Sequence, residues 1–308
     1  MRVGAMDGDP AQVLGVVQDV ASDAHGNFAA LDAQSQTVRI FSPSGRFLAR
    51  VGRPGRGPGE FFVPVAVAYD GSGHLYVLDQ ANQRVEVFAP ASAGSGHVRS
   101  FPIDFPASDL CALGDRLYLL GFRNGTLIHT YTFDGHPAES FGAAERPRDP
   151  YFSVSLARGL IECMEEARTV IFLPLLSANV RGWRVDGRLQ WTSSIPGYEP
   201  VVIRRSGRRV TYSRGPNNRH HMASSIAKLD GASALIQVGF VRDGARSAEE
   251  FTEVGSYRVF AADGRVRRVT SNTPRILQIG AGYAFGVRPD PFPTVTVFRI
   301  SQSTQGQR

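Results

Sequence analysis

Guanidinium and imidazole side chains concentrate in one stretch of the sequence, residues 195–221. After Glu199 this stretch contains no acidic residue, and residues 214–221 read Arg-Gly-Pro-Asn-Asn-Arg-His-His. Arginine makes planar, bidentate contacts with carboxylate and phosphate groups. We therefore predict an anion-binding site there, although a solvated loop with incidental charge is the alternative. The candidate ligand-binding residues are Arg214, Asn217, Asn218, Arg219, His220 and His221, with Arg146, Arg148 and Arg275 from other segments.

Composition places the chain among turn-rich, basic proteins. The 308 residues include 33 Gly and 19 Pro, the formal net charge is +6, and Lys228 is the single lysine, so nearly all positive charge is guanidinium. No apolar run approaches the ~20 residues that span a membrane, and the N-terminal residues lack the apolar core of a signal peptide. Composition leaves the compartment open, and biased codon usage is an alternative source of the arginines.

A pattern of about 45 residues occurs twice in succession within residues 19–88. Both copies contain an Asp-x-x-Gly turn, at 23–26 and 70–73, and a Leu-Asp pair, at 31–32 and 78–79. A third short strand then ends at Phe41 in one copy and at Phe88 in the other. Four short strands at this period are typical of a β-propeller blade.

The pattern resembles the NHL repeat of bacterial six-bladed β-propellers. Besides the turns and the Leu-Asp pair, the matching features are the Asn-x-Arg-Val-x-Val-Phe strand at 82–88 and the Gly-x-Gly-Pro-Gly-Glu-Phe connector at 55–61. The resemblance implies an all-β propeller of six four-stranded antiparallel blades. It implies no single function, because such propellers include enzymes, sensors, scaffolds and RNA binders.

Phasing the later strands against these copies predicts six blades in one domain, residues 1–302, and a polar tail at 303–308. The last blade lacks a fourth strand within residues 276–300. We predict that residues 2–6 supply it, because pairing them with residues 294–300 closes the ring and removes an exposed edge. A hairpin around Ser206-Gly207 is predicted inside the long connector 195–221.

Propeller geometry sorts the loops onto two faces. We call upper the face with the connectors that lead from the outer strand of one blade to the inner strand of the next. The lower face carries the turns that follow the inner strands. The arginine-rich connectors 142–159 and 195–221 fall on the upper face, and Asp-containing turns fall on the lower face, where aspartate is also an ordinary turn residue.

An enzymatic interpretation needs other residues. The resemblance brings calcium-dependent propeller hydrolases and lactonases into consideration, which place hard oxygen ligands around the channel mouth. Asp19, Asp109 and Glu162 are the candidates, although they are scattered along the sequence. Gly-x-Ser-x-Gly and Walker motifs are absent. Adjacent strand residues such as His220 and His221 point to opposite faces, which disfavours a shared metal. We predict no catalytic residue, no metal ligand and no cofactor, with calcium only under the enzyme alternative.

Cys111 and Cys163 are the two cysteines, and each is predicted in the inner strand of its blade at a similar register. Two small buried thiols are the simpler expectation. A disulfide stays open, because it requires Cα atoms within ~7 Å of each other.

These observations predict a non-enzymatic binding propeller, of the sensor or scaffold type, that holds an anionic ligand or an acidic protein surface on its arginine-rich upper face. A metal-dependent hydrolase, lactonase or lyase at the channel mouth is the alternative. RNA binding is a third class, disfavoured because most aromatic residues occupy core positions of strands. We expect a monomer.

Overall fold

The structure, a computed structural model, describes residues 1–144, 156–207, 209–213, 220–240, 254–269, 274–289 and 291–300. These residues form an all-β ring of six four-stranded antiparallel blades, which confirms the predicted fold. No helix in this part of the chain is long and apolar enough to cross a bilayer. The predicted tail 303–308 lies outside the described residues.

The strands follow one another in the order of the chain, from the inner to the outer edge of each blade. After β1 (Arg2–Val3), blade 1 contains β2 (Val17–Ser22), β3 (Phe28–Asp32), β4 (Thr37–Phe41) and β5 (Phe47–Val51). Blade 2 contains β6 (Pro64–Tyr69), β7 (Leu75–Asp79), β8 (Arg84–Phe88) and β9 (His97–Pro102). Blade 3 contains β10 (Ala107–Leu113), β11 (Arg116–Arg123), β12 (Thr126–Thr132) and β13 (Pro137–Ala143).

The second half of the ring has the same order with one insertion. Blade 4 contains β14 (Gly159–Met164), β15 (Thr169–Pro174), β16 (Asn179–Arg184) and β17 (Leu189–Ser194). The predicted hairpin follows as a separate two-stranded sheet, β18 (Val202–Ser206) and β19 (Arg209–Ser213). Blade 5 contains β20 (His221–Asp230), β21 (Ser233–Phe240), β22 (Val254–Phe260) and β23 (Val266–Val269). Blade 6 contains β24 (Arg275–Gly280), β25 (Tyr283–Arg288) and β26 (Thr294–Arg299).

The N-terminal strand closes the ring, as predicted. β1 pairs antiparallel with β26, with Arg2 opposite Thr296 and Val3 opposite Val295. The N-terminal ammonium group donates a hydrogen bond to the carbonyl of Val297 at 3.0 Å, and the side chain of Val3 is buried. The strand is shorter than the predicted 2–6, because Gly4 turns away with a positive φ of 121°.

The repeated aspartates hold the loops in place. Asp23 accepts hydrogen bonds from the backbone N–H groups of His25 and Asn27, and Gly26 completes the turn with a φ of 81° that a side chain would strain. Asp79 ends β7 and accepts from the N–H groups of Phe62 and Val63 on the connector that enters β6, both at 2.9 Å. The aspartates of the sequence motif therefore cap backbone N–H groups, and they fix the turn between two strands and the connector that leads into a blade.

The hydrophobic core lies between the blades and not on the axis of the ring. The described core divides into six clusters, and each cluster joins side chains of two neighbouring blades. Between blades 1 and 2, for example, Leu31 and Val38 meet Leu75 and Val77, all fully buried. Because the apolar side chains pack between the blades, the space around the axis is lined by residues of the six inner strands.

Each blade is a separate sheet. Hydrogen bonds from polar side chains therefore join neighbouring blades. Amides and a guanidinium serve three of the junctions. The donors and acceptors are Gln80 Nε2 to Ala107 O at 2.8 Å, Arg275 Nε to Ser224 O at 2.9 Å, and Gln278 Nε2 to Ser22 Oγ at 3.2 Å. These bonds link blade 2 to 3, blade 6 to 5 and blade 6 to 1.

Removal of residues 1–8 should strongly destabilise the protein, because it takes away β1 and exposes the edge of β26. We expect a clearly lower thermal unfolding midpoint. A finer test compares Val3→Ala, which removes a buried side chain, with Arg2→Ala on the same strand, which removes an exposed one. Val3→Ala should cost about 1–3 kcal/mol and Arg2→Ala within about 0.5 kcal/mol. Unchanged melting of the truncated protein would refute closure by this strand.

Candidate functional site

A central channel runs along the axis, lined by the inner strands of all six blades, and has a volume of about 700 Å³. Its described lining continues into the turns of the lower face, at Ala24, Gly71, Gly114 and Ala281. The predicted anion site lies on the upper face, whereas this cavity reaches the lower one.

Three carboxylates that are distant in sequence line the channel: Asp19 on β2, Asp109 on β10 and Glu162 on β14. Asp19 and Asp109 each follow a register shift, between Val17 and Asp19 and between Ala107 and Asp109. A bulge of this kind re-aims the side chains that follow it. All three acids line the same channel, although they lie far apart in the sequence.

Each carboxylate also bridges two blades. Asp19 accepts from the N–H groups of Val20 and Val67, both at 2.8 Å, and so joins blade 1 to blade 2. Asp109 accepts from Leu110 and, at 2.8 Å, from Ile161 in blade 4.

Glu162 makes the corresponding junction between blades 4 and 5. It accepts from the N–H groups of Cys163 and Lys228, both at 3.1 Å. In all three acids the carboxylate is oriented by two backbone donors, one in its own blade and one in the next.

Burial makes these acids harder to ionise than ordinary carboxyl groups. Burial raises the pKa of Asp19 to about 6, against the hydrogen bonds from Val67 and Val20 and the charge of Arg275. Burial raises the pKa of Glu162 to about 7, opposed mainly by the charge of Lys228. The pKa of Asp109 lies well above its ordinary value because of burial and the negative charges of Asp19 and Glu162. Near neutral pH the three acids therefore do not all carry a charge.

Cationic and hydroxyl groups complete the channel wall. Arg275 lies in the wall and holds the carbonyl of Ser224. Lys228 is 3.4 Å from Glu165 at the lower end. Ser224 is 1% exposed, and its hydroxyl has no hydrogen-bond partner within the described part of the chain. Among these described residues no three His, Cys, Asp or Glu side chains converge as a metal site.

The predicted upper-face residues are only partly within the described structure. Arg214, Asn217, Asn218, Arg219, Arg146 and Arg148 lie outside the described residues. His220 immediately precedes β20, His221 begins that strand, and Arg275 begins β24 and lines the channel.

His221 has a packing role in the structure. Its ring stacks on Tyr198 with 5.2 Å between centroids, and its Nδ1 accepts a hydrogen bond from the N–H group of Glu199 at 2.8 Å. Burial lowers the pKa of His221, which favours the neutral imidazole that this acceptor role requires. The side chain is buried and anchors the start of the long connector.

The cysteines form a disulfide between blades 3 and 4, which corrects the expectation of two buried thiols. Cys111 on β10 and Cys163 on β14 lie at the same level of adjacent inner strands, with 5.7 Å between their Cα atoms. Both residues line the channel, on the same strands as Asp109 and Glu162. Both cysteines lie on inner strands as predicted, but a sequence pattern does not contain the distance between those strands.

Comparison with known proteins agrees on the fold. A family described as 6-bladed beta-propeller (DUF5128) matches residues 22–124, a third of the chain. No curated protein matches the sequence. The six-bladed propeller implied by the sequence resemblance is thus confirmed, and the more specific NHL-repeat assignment stays a prediction.

Solved structures with the same fold are distant in sequence. A member of the duf4221 family from Bacteroides vulgatus is 8% identical, with a TM-score of 0.60 and 97% of both chains covered. A putative exported protein from Bacteroides fragilis is 11% identical, with a TM-score of 0.59 and 94% of this chain and 83% of that chain covered. A streptogramin B lyase is 10% identical, with a TM-score of 0.52 and 97% of both chains covered. At these identities the likeness establishes the fold alone.

Glu162→Gln should change how stability depends on pH. The native pKa of Glu162, about 7, lies above its ordinary value of 4.5, so the folded state binds this proton more tightly than the unfolded state. Its contribution to stability is full at low pH and is lost as pH rises from about 4.5 to about 7. Glutamine lacks this loss, so the variant should gain roughly 1–3 kcal/mol relative to the wild type between pH 5 and pH 8.

Denaturant unfolding at several pH values measures this difference. Glu139→Gln, an exposed position on β13, is the matched control and should run parallel to the wild type. Parallel curves for Glu162→Gln as well would contradict the raised pKa.

The disulfide is tested by mass and by stability. Non-reducing mass spectrometry should show the loss of two hydrogens, and Cys111→Ser/Cys163→Ser should lower the unfolding free energy. The chain-entropy estimate for a sequence separation of 52 is about 4 kcal/mol. Reductant should destabilise the wild type and leave the double variant unchanged. Two alkylatable thiols after unfolding without reductant would instead support the original expectation, whereas an intact bond indicates an oxidising compartment.

Proposed function

We propose that this protein is a non-enzymatic binding propeller whose ligand, a small polar molecule, occupies the central channel. The observation that carries the proposal is a cavity of about 700 Å³ bounded by all six inner strands. Ligand pockets typically have volumes of about 300–1,000 Å³ and a few fixed polar groups that orient the ligand. The channel carboxylates provide such groups.

The rigidity of these groups favours recognition. Asp19, Asp109 and Glu162 are each held by backbone donors from two blades. Each carboxylate oxygen has a second lone pair that remains for a ligand. A binding site whose polar groups are oriented before the ligand arrives loses less conformational entropy on binding. The lower mouth, where the lining reaches the inter-strand turns, is the proposed route into the channel.

An anionic ligand or an acidic protein surface on the upper face is a second proposal. The feature that favours it is the hairpin of β18 and β19, which forms a sheet separate from those of the blades. Its strands contain Arg204, Arg205 and Arg209. Two other upper-face arginines have partners within their own connector: Arg53 pairs with Glu60 at 2.7 Å, and Arg56 lies over the ring of Phe62 at 4.3 Å.

A thermal-shift screen distinguishes the two faces. The screen uses organic acids, sugars, amino acids and amines, and a ligand at a hundredfold excess over its Kd stabilises the fold by about 2.7 kcal/mol. Ala112→Trp places a large side chain at a lining position of the channel on β10 and should abolish the effect of a channel ligand. Ala143→Trp places the same side chain at an exposed position of the outer strand of the same blade and should retain it.

The outcomes separate cleanly. A hit that Ala112→Trp retains and Arg214→Ala/Arg219→Ala loses would move the site to the upper face. A screen without any stabilising compound would contradict the channel proposal.

A further inference from the structure

The charge of the channel is opposite to that of the protein as a whole. The chain carries a formal net charge of +6, but its described channel lining contains twice as many acids as bases. The acids are Asp19, Asp23, Asp70, Asp109, Glu162 and Glu165. The bases are Arg168, Lys228 and Arg275. An excess of acid in a cavity of a basic protein requires a compensating positive charge or bound protons.

The resident bases compensate two of the three inner acids. The charge of Arg275 favours ionisation of Asp19, and the charge of Lys228 favours that of Glu162. Asp109 experiences instead the negative charges of the other two. The position beside Asp109 is therefore where an added cation gains most.

An independent observation also points to a ligand in the channel. The hydroxyl of Ser224 is buried in the channel wall and has no partner in the described residues. Leaving a buried polar group unsatisfied costs about 1–3 kcal/mol. Ser224 lies at the register shift of β20, between Ala223 and Ser225, as Asp19 and Asp109 lie beside the shifts of their own strands. A ligand N–H donor placed there would satisfy the hydroxyl oxygen.

We propose that the channel binds an organic cation, an aliphatic amine or diamine, whose N–H groups donate to Asp109 and to Ser224 Oγ. The inference rests on the channel being the binding site, as proposed above, and adds the chemical class of the ligand. An organic cation fits better than a metal ion, because the acids of the described lining do not converge on one point and the cavity has room for a molecule of several carbon atoms. An anion would be repelled by the excess of acidic side chains in the channel lining.

Binding should be linked to proton release. An ammonium ion favours the ionised form of the acids that it contacts, so a proton on Asp109 or its neighbours passes to solvent when the cation binds. The other charged groups that face these acids are Arg275 and Lys228 at the inner level and Asp23, Asp70, Glu165 and Arg168 toward the lower mouth. Affinity should therefore rise with pH between 6 and 8, by up to about tenfold per pH unit for each proton released.

Three probes with the same four-carbon chain test the charge preference. Butane-1,4-diamine should bind the wild type in isothermal titration calorimetry and raise its thermal midpoint. Butane-1,4-diol has neutral ends and succinate has anionic ends, and neither should match the diamine. Calcium chloride tests the metal alternative. Ala112→Trp, which places a large side chain at a lining position of the channel, should lose the binding of the diamine.

Two variants test the named contacts. Asp109→Asn and Ser224→Ala should each weaken diamine binding about tenfold or more, as expected for lost hydrogen bonds to a charged group. Ser224→Ala removes a hydroxyl that has no partner among the described residues, so it keeps the test decisive even if Asp109→Asn disturbs the fold. Asp115→Asn is the matched control: it lies in the same blade on an exposed turn outside the channel lining and should bind like the wild type.

Different failures have different meanings. Binding of succinate or calcium in place of the diamine, if Ala112→Trp abolishes it, would overturn the organic-cation inference and leave the channel as the binding site. Diamine binding that Ala112→Trp, Asp109→Asn and Ser224→Ala all retain would overturn both. Absence of diamine binding would overturn the inference, and affinity that is constant from pH 6 to pH 8 would refute its proton linkage.

Discussion

The ring depends on side-chain hydrogen bonds that cross from one blade to the next. Six separate sheets meet around the axis, and among the described strands no ladder of pairing joins one blade to its neighbour. Buried apolar clusters hold the blades face to face, but packing is not directional. The side-chain bonds between blades supply the missing direction, and each of the six junctions has one.

The chemistry of the channel is a consequence of these hydrogen bonds between blades. Three junctions use carboxylates, so joining the blades places three acids in a confined space that disfavours their charge. The same atoms that fix one blade against the next are the atoms that a channel ligand would meet. Structural and recognition roles are therefore not separable at these positions, and a bound molecule would act on the junctions between blades directly.

The sequence predicts the fold well because its local signals have fixed geometric meanings. The Asp-x-x-Gly turn and the Leu-Asp pair mark backbone caps, which are short-range interactions, and two clear copies are enough to phase the rest of the ring. The closing strand is predictable for a related reason: a three-stranded last blade leaves an edge, and the N-terminal residues are the available segment to cover it. The hairpin around Ser206-Gly207 follows from ordinary turn chemistry.

The contents of the channel are much harder to predict. Asp19 and Asp109 are separated by a whole blade in sequence, and the closure of the ring brings them to the same cavity. The disulfide depends on the distance between two strands, which a sequence pattern does not contain. His221 has the residue type of a ligand contact, yet its ring packs on Tyr198 inside the protein. A better signal was available: the phased inner strands align one acid from each of blades 1, 3 and 4 beside the axis.

Closure by the first strand has a consequence for synthesis of the chain. Met1 bonds to Val297, a partner 296 residues away, so that entire stretch must be synthesised before the first strand has its partner. At about 5–20 residues per second, β1 waits for roughly 15–60 s while the blades after it form in order. During that time the nascent chain is an open arc with an unpaired segment at one end. Synthesis of β26, and not the folding of any single blade, thus sets the earliest moment at which the ring can close.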